Sequence, residues 1–391
     1  MARNIVTGID IGTHRVKVVI AERSTEINNG VPHIIGRGLA ESKGLRHGYI
    51  INTHEAVRSI RAAISAAERK AEVQVKRAYV SIGGISLEST TATGSTVISR
   101  GDLEITETDA EQAIQISEQA IPQNTSINRK VIHAIPLQFK IDGKPVLGRP
   151  VGMKGVKLEV RTLFITALEQ HVNDMIQAIE EAGVEVLDVM AAPLAASLVT
   201  LTRPQKIAGV VLANIGAETV SIVVFENNIP VSMQVFPLGS TDITNDIALG
   251  FKISLTEAEA LKTGSGPAIQ ARKHFEEIIS ARVSDILELI EAHLKKLGRN
   301  GLLPAGIVLT GGGSSIGSIE EMAGTTLKLP SRIAIPNLTQ NTGGELQDVI
   351  WSVSYGLCLL GFSTGEEQSM GIRIARQTKN KILEYLKKFL P

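Results

Sequence analysis

Residues 9–13 read IDIGT, and a related stretch, ANIGA, returns at residues 213–217. Each copy leads into a second β-branched run, VKVV after the first and VSIV after the second. A glycine between two such runs is typical of a β-hairpin. The two hairpin glycines, Gly12 and Gly216, lie 216 − 12 = 204 residues apart in a chain of 391. A repeat at this distance predicts a duplicated fold in which two glycine hairpins face a shared cleft.

Segments with strand and helix periodicity alternate around both copies, which predicts an α/β fold. We expect a helix that begins after Asn52 or Thr53, and a linker that begins at Pro204. The predicted strands span residues 4–21 (two runs), 31–39, 79–82, 131–141, 163–166, 184–189, 207–213, 219–225, 229–236 and 307–310. The predicted helices span residues 53–71, 109–120, 167–182, 194–201, 241–249, 255–262, 269–297 and 349–360.

Residues 85–159 differ in texture from the rest of the chain. Thr and Ser dominate residues 86–99, which predicts exposed strands, and Pro136 inside a strand predicts an edge or bulged position. We therefore expect a small α+β insertion in the first half.

The composition limits the functions to consider. Lys+Arg 40 against Asp+Glu 40 gives no electrostatic case for nucleic acid as the main ligand. The single cysteine, Cys358, excludes a Cys-based zinc site and fits a reducing compartment. No apolar stretch reaches the ~20 residues of a membrane span.

The net charge of zero is the sum of a basic C-terminal segment and an acidic remainder. From Met370 onward six bases oppose one acid, which gives 6 − 1 = +5, so the rest of the chain carries −5. Apolar residues recur there at helical spacing opposite lysines, after a spacer predicted over residues 362–369. Such a helix can lie in an anionic bilayer interface or dock on its own domain. The predicted membrane contacts are Lys379, Lys381, Ile382, Leu383, Leu386, Lys387, Lys388, Phe389 and Leu390.

Three glycine elements suit a phosphorylated ligand. Backbone N–H groups near Gly12 and Gly216 can approach phosphates closely, and the Thr13 hydroxyl adds a donor. Asp10 stands where it could reach a Mg²⁺ ion through water. The triplet at residues 311–313 before a helix suits a nucleoside. Each element alone is also compatible with an ordinary turn or a flexible loop.

At these motifs the chain resembles the FtsA family of bacterial cell-division proteins, within the actin/Hsp70/hexokinase ATPase superfamily. The phosphate motifs look like GIDIGT at 8–13 and NIGAET at 214–219, and the adenosine motif like LTGGGS at 309–314. VIHAIP at 131–136 and PVGMKGVKL at 150–158 resemble the subdomain 1C insertion of that family. The resemblance implies ATP and Mg²⁺ as cofactors, with Asp10 toward the metal. It implies these nucleotide-site residues: Asp10, Gly12, Thr13, His14, Arg15, Lys17, Asn214, Gly216, Ala217, Glu218, Thr219, Gly239, Glu259, Lys262, Gly311, Gly312, Gly313 and Ser314.

The resemblance also implies an actin-like fold of two ribonuclease-H-like halves. Its expected subdomains are 1A (1–83 and 163–203), 1C (84–162, SHS2-like), 2A (204–239 and 304–336) and 2B (240–303), then a return helix to 1A (337–363), a linker (364–378) and a membrane-targeting helix (379–391).

The second phosphate motif departs from the family pattern. Asn214 stands where an acid is usual, and Ala217 and Glu218 interrupt a glycine-rich triplet. Asn214 cannot match an aspartate's pull on a metal or its water, and Glu218 is expected to place negative charge near the phosphates. We therefore expect ATP binding with slow or absent hydrolysis.

The function implied by the resemblance is a scaffold at the division site, on the cytoplasmic face of the membrane. It would tether the FtsZ ring, polymerise into filaments, and receive the acidic FtsZ tail on 2B, with Arg282 as the preferred carboxylate partner. Later division proteins would bind 1C. The alternatives are a PilM-like assembly adaptor, which predicts no lipid-binding tail, and a soluble actin-fold kinase, for which the sequence nominates no base.

Overall fold

The computed structural model describes residues 4–23, 32–266, 271–334 and 348–368. The strands are β1 (Asn4–Ile11), β2 (Arg15–Arg23), β3 (His33–Glu41), β4 (Leu45–Arg46), β5 (Tyr49–Ile50), β6 (Arg77–Ile82), β7 (Glu88–Val97), β8 (Arg129–Ile141), β9 (Lys144–Val146), β10 (Lys157–Leu168), β11 (Glu185–Ala191), β12 (Val210–Ile215), β13 (Val220–Glu226), β14 (Ile229–Phe236), β15 (Ile307–Thr310) and β16 (Ser331–Ile333). The helices are α1 (Thr53–Ala71), α2 (Glu107–Gln119), α3 (Gln123–Ser126), α4 (Glu169–Glu181), α5 (Ala192–Thr200), α6 (Arg203–Ala208), α7 (Ser240–Phe251), α8 (Leu255–Lys262), α9 (Arg272–Lys296), α10 (Ile319–Leu327) and α11 (Ser352–Gln368), with short 3₁₀ turns at Gly312–Ser315 and Val349–Trp351.

The two halves repeat one sheet topology. The first sheet has the order β3-β2-β1-β6-β11, and the second has the order β14-β13-β12-β15-β16. In each, three antiparallel strands are followed by two parallel additions. Even the hairpin turns match, since Gly12 N–H donates to Arg15 C=O (3.2 Å) and Gly216 N–H to Thr219 C=O (2.9 Å). The predicted duplication is confirmed.

The two halves share one buried core. A continuous buried cluster joins Leu194 of the first half, Leu212 and Val223 of the second, and Leu357 of the returning α11. The predicted cap of α1 is correct, because the side chain of Asn52 accepts the N–H of Glu55.

The insertion is a separate small α/β layer on the first half. Its sheet has the order β7-β10-β8-β9, and α2 packs on β7 and β10. The sheet register shifts opposite Pro136, so the prediction of a bulged strand is confirmed. At its base Ile135 and Leu163 enter the main core, and β10 runs without a break through residue 162 into the first half.

Two sequence predictions about connections are wrong. Pro204 begins no linker, because it lies in the first turn of α6, where its missing N–H costs little, and Thr202 and Gln205 form a capping box. The spacer predicted from residue 362 is helical instead, since α11 continues to Gln368. The predicted tail helix at 379–391 lies outside the described residues. Among the residues the structure describes, no helix is long and apolar enough to span a bilayer.

Candidate functional site

A cavity of about 920 Å³ lies between the two glycine hairpins. Most of the predicted nucleotide-site residues line it, and its size is within the ~300–1,000 Å³ usual for small-molecule and cofactor sites. Those that do are Asp10, Gly12, Thr13, His14, Arg15, Lys17, Asn214, Gly216, Ala217, Thr219, Glu259, Lys262, Gly311, Gly312 and Gly313. Glu218, Gly239 and Ser314 are not part of its lining.

The first hairpin presents a carboxylate that already has two partners. Lys17, directly across the hairpin from Asp10, places its Nζ 2.7 Å from one carboxylate oxygen. The Ser81 hydroxyl donates to the other oxygen at 2.8 Å. Since the amide of Gly12 is used by the turn itself, Thr13 and the residues after it hold the amides that remain for a ligand.

The second hairpin is backed by the glycine triplet. Gly311 has a φ of +84°, and a Cβ there would lie 2.4 Å from the Asn214 amide oxygen and 2.5 Å from the Ile215 carbonyl oxygen. Only glycine allows the triplet to lie this close to the end of β12. Ser314 is buried, and its hydroxyl donates to Gly311 C=O (2.7 Å), so it supports the loop from behind.

Glu218 lies outside the cavity, although the sequence predicts that its charge is near the phosphates. Its carboxylate turns to the first half and accepts the backbone N–H of His47, rather than pointing into the cavity. Gly239 lies behind the same hairpin, where a Cβ would be 2.2 Å from the Ala217 carbonyl oxygen. Both residues therefore shape the second hairpin without lining the cavity.

The wall formed by α7 and α8 holds the predicted nucleoside contacts in an internal network. Lys262 Nζ lies 2.7 Å from Glu259, 2.8 Å from the Thr244 hydroxyl and 3.0 Å from the Ser240 carbonyl oxygen. Burial opposes ionisation of Glu259, but the hydrogen bonds from Lys262 and Thr244 prevail and lower its pKa. Across the cavity, burial and then Arg15 lower the pKa of His14, so its ring is neutral at pH 7.

Several residues that line the cavity are not among the predicted nucleotide-site residues. Gly83 and Gly84, which follow β6, line the cavity near the first hairpin, and their pairing at a strand end was a usable signal. Phe275 and Glu276 line it from α9. Nothing local marks these α9 positions, because only the packing of the helix on the second half brings them to the cleft.

Arg282 lies on α9 outside the cavity and is engaged by two carboxylates. Its Nε and Nη2 are 2.7 and 3.0 Å from the two oxygens of Asp246, and its Nη1 is 3.1 Å from Asp285. The hydrogen bond with Asp246 raises the pKa of the guanidinium, which stays charged.

The residues of the cleft fit a Mg²⁺–nucleotide complex in which the metal takes few ligands from the protein. Within the described part of the chain, no group of three or more His, Cys, Asp or Glu residues could hold a metal ion. Mg²⁺ commonly binds through one or two carboxylates, several waters and the phosphates of its substrate. Asp10, a carboxylate at the first glycine hairpin, agrees with that pattern.

Solved structures identify the class of fold. The PilM–PilN type IV pilus biogenesis complex aligns with a TM-score of 0.67 at 17% identity, covering 91% of this chain and 98% of that one. MreB5 of Spiroplasma citri bound to ADP aligns with a TM-score of 0.52 at 14% identity, covering 94% and 99%. The duplicated halves around a cleft thus form an actin-like fold.

Sequence relatives identify the family. The family model for cell division protein FtsA matches residues 211–356, and the model for the SHS2 domain inserted in FtsA matches residues 84–166. FtsA of Borreliella burgdorferi is 30% identical over 92% of this chain and 91% of its own length. FtsA of Bacillus subtilis is 32% identical over 85% and 79%, and FtsA of Escherichia coli K12 is 27% identical over 92% and 90%. The chain belongs to the FtsA family of cell division proteins.

Proposed function

We propose that this protein binds ATP with Mg²⁺ between its two halves and acts in cell division as a membrane-bound scaffold for FtsZ. The observation that carries the proposal is the cavity itself, which both glycine hairpins and the triplet line together. A ligand that contacts both halves favours the closed arrangement, because only that arrangement offers all of its contacts.

Each group in the cleft has a definite part in this binding. The amides after Gly12 and Gly216 donate to phosphate oxygens, and Lys17 supplies positive charge. Asp10 orients the metal or its water. Glu259 and Lys262 hold each other and present polar atoms to a ribose from the α8 wall.

We expect this nucleotide to be bound rather than turned over. Asn214, at the end of β12, lines the cleft where a carboxylate would pull on the metal or polarise water, and its amide is neutral. Calorimetric titration with Mg²⁺–ATP should show one binding site per chain, and a phosphate-release assay should show little steady-state turnover. No heat of binding would contradict the proposed site, while turnover typical of actin-type ATPases would contradict the role of Asn214.

The scaffold role combines three surfaces. The basic and apolar residues of 379–391 would anchor the chain to the cytoplasmic face of the membrane at the division site. Copies of the chain would join end to end in filaments along that membrane, and 1C would receive later division proteins. The second half would hold the FtsZ tail on the face of α7–α9.

The FtsZ tail contact is constrained by the pairing of Arg282 with Asp246. If Arg282 receives a tail carboxylate, the tail has to compete with Asp246 at 2.7 Å. Arg282→Glu should therefore lose binding of an FtsZ tail peptide, and Asp246→Asn should strengthen it by removing the competitor. Fluorescence anisotropy with the peptide measures both, and thermal melting confirms the fold. Weaker binding in both variants would show instead that the ion pair only holds α7 against α9.

A further inference from the structure

One contact joins the two halves at the tip of the second glycine hairpin. The backbone N–H of His47 donates to the Glu218 carboxylate, and His47 Nδ1 lies 3.2 Å from the Glu218 carbonyl oxygen. A carbonyl can only accept, so Nδ1 carries the proton in this contact. His47 therefore holds both the side chain and the main chain of a residue 171 positions away. We call this contact the clasp.

The hairpin that carries His47 has little freedom to slide. His47 and Gly48 form the tip between β4 and β5, and both have positive φ values, 48° and 88°. A Cβ at Gly48 would lie 2.4 Å from Gly84 Cα, so the two backbones touch. His47 C=O also accepts the N–H of Ile85 (3.2 Å). The β4–β5 hairpin thus packs on the segment that leads from β6 into the insertion.

A buried histidine continues the contacts beyond this hairpin. His171 Nε2 lies 2.9 Å from the Gly48 carbonyl oxygen, and its Nδ1 contacts the Ser86 hydroxyl. Burial lowers the pKa of His171, so the ring is neutral at pH 7 and has one N–H. Nε2–H donates to Gly48, and Nδ1 accepts from Ser86. Both ring nitrogens are therefore used, and the ring fixes Ser86 relative to Gly48.

Arg129 links Ser86, where the chain enters the insertion, to Thr166, where the chain returns to the first half. Its guanidinium donates to the Ser86 carbonyl oxygen. It also donates to the hydroxyl (2.9 Å) and carbonyl (3.2 Å) of Thr166. Arg129 begins β8 of the insertion. A continuous path of side chains and backbone thus runs from Glu218 to the base of the insertion.

We propose that the clasp and this path connect the cleft to the insertion, so that a ligand in the cleft sets the orientation of the 84–166 domain. Ala217, next to Glu218, lines the cavity, as do Gly48 and Gly84. We therefore expect a ligand that moves the second glycine hairpin to move the β4–β5 hairpin through the clasp. The inference rests on the proposed nucleotide binding. It adds that the 84–166 domain changes its orientation when the nucleotide binds.

The insertion also contacts the second half directly, because its strands pack against β14. The Ser89 hydroxyl donates to the Met233 carbonyl oxygen (2.7 Å) and accepts the Met233 N–H (3.0 Å) on β14. This contact bypasses the cleft. Ser89→Ala therefore tests how far any change in the insertion depends on this hydrogen-bonded contact instead of the clasp.

The experiment measures the distance between the insertion and the second half. Spin labels at Gln138→Cys and Leu302→Cys occupy exposed positions, and the chain's only cysteine, Cys358, is buried with a pKa that burial raises, so it does not react. Pulsed spin-resonance distances are recorded with and without a non-hydrolysable ATP analogue and Mg²⁺. Binding of the analogue is first measured by calorimetry in every variant.

We expect the analogue to shift the distance in the otherwise unchanged chain. Glu218→Ala should lose more than half of that shift, and Ser86→Ala should lose part of it, because the backbone contacts of His47 and Gly48 with residues 84–85 remain. Ser89→Ala and the exposed control Glu180→Ala should keep it. Ser86→Ala removes one hydroxyl only, so it serves if Glu218→Ala folds poorly. An unchanged shift in both clasp-path variants would overturn the inference, as would analogue binding without any shift. Failure of the analogue to bind would overturn the proposed function and the inference together.

Discussion

Gly312→Val should lower the affinity for ATP by about 100-fold, which corresponds to ~2.7 kcal/mol. Gly312 lies exposed in the cleft at the start of the 3₁₀ turn after β15. The atom nearest to an added Cβ is Ile350 Cγ2 at 4.0 Å, so the protein itself has room for the valine. The side chain would occupy the cavity where the triplet is expected to approach the nucleoside. Calorimetric titration with Mg²⁺–ATP measures the loss.

The choice of Gly312 separates loss of the ligand from loss of the fold. Gly311 is unsuitable, because its backbone conformation and close contact with Asn214 would make any substitution damage the protein. The matched control is Gly101→Val in the insertion, where nothing lies within 4 Å of an added Cβ. Both variants should melt within a few degrees of the parent chain. Unchanged affinity in Gly312→Val would place the nucleotide elsewhere.

The duplicated fold was predictable because its signals are local and occur twice. A glycine between two β-branched runs specifies a hairpin, and buried strands on both sides leave one register that keeps apolar side chains inside. The cleft was predicted from the repeat, because the space between two duplicated halves is a natural place for a ligand. The cap at Asn52 and the bulge at Pro136 were readable for the same local reason.

The side-chain contacts that the sequence does not predict have a different origin, because the two partners are remote along the chain. Glu218 turns from the cavity to His47, and Arg282 turns to Asp246, 36 positions away. A long charged side chain takes whichever partner the packing brings near, and no spacing in the sequence encodes that choice. The linker predicted at Pro204 is wrong for a local reason, because Thr202 and Gln205 form a capping box, which marks a helix start.

Removing residues 379–391 should abolish binding to anionic liposomes. Residues 382–390 carry five apolar side chains at helical spacing, and four lysines lie between 379 and 388. Each lysine near an anionic surface contributes about 1 kcal/mol, and the apolar face adds burial in the headgroup boundary. Flotation with phosphatidylserine-containing vesicles should recover the full chain with the lipid and leave the chain cut after Thr378 at the bottom of the gradient.

Two matched variants separate the anchor from a helix that docks on its own domain. Leu386→Asp with Phe389→Asp keeps the length and the lysines but removes the apolar face, and it should not float. Lys387→Gln with Lys388→Gln keeps the apolar face, and it should float more weakly and lose its salt dependence in part, since salt screens exposed charges. A docked helix predicts the opposite pattern. The cut chain and the full chain would be recovered with the lipid to the same extent, and the melting temperature of the cut chain would fall because a packed helix is gone. The melting temperature of the cut chain therefore decides between the two, and we expect it to remain unchanged.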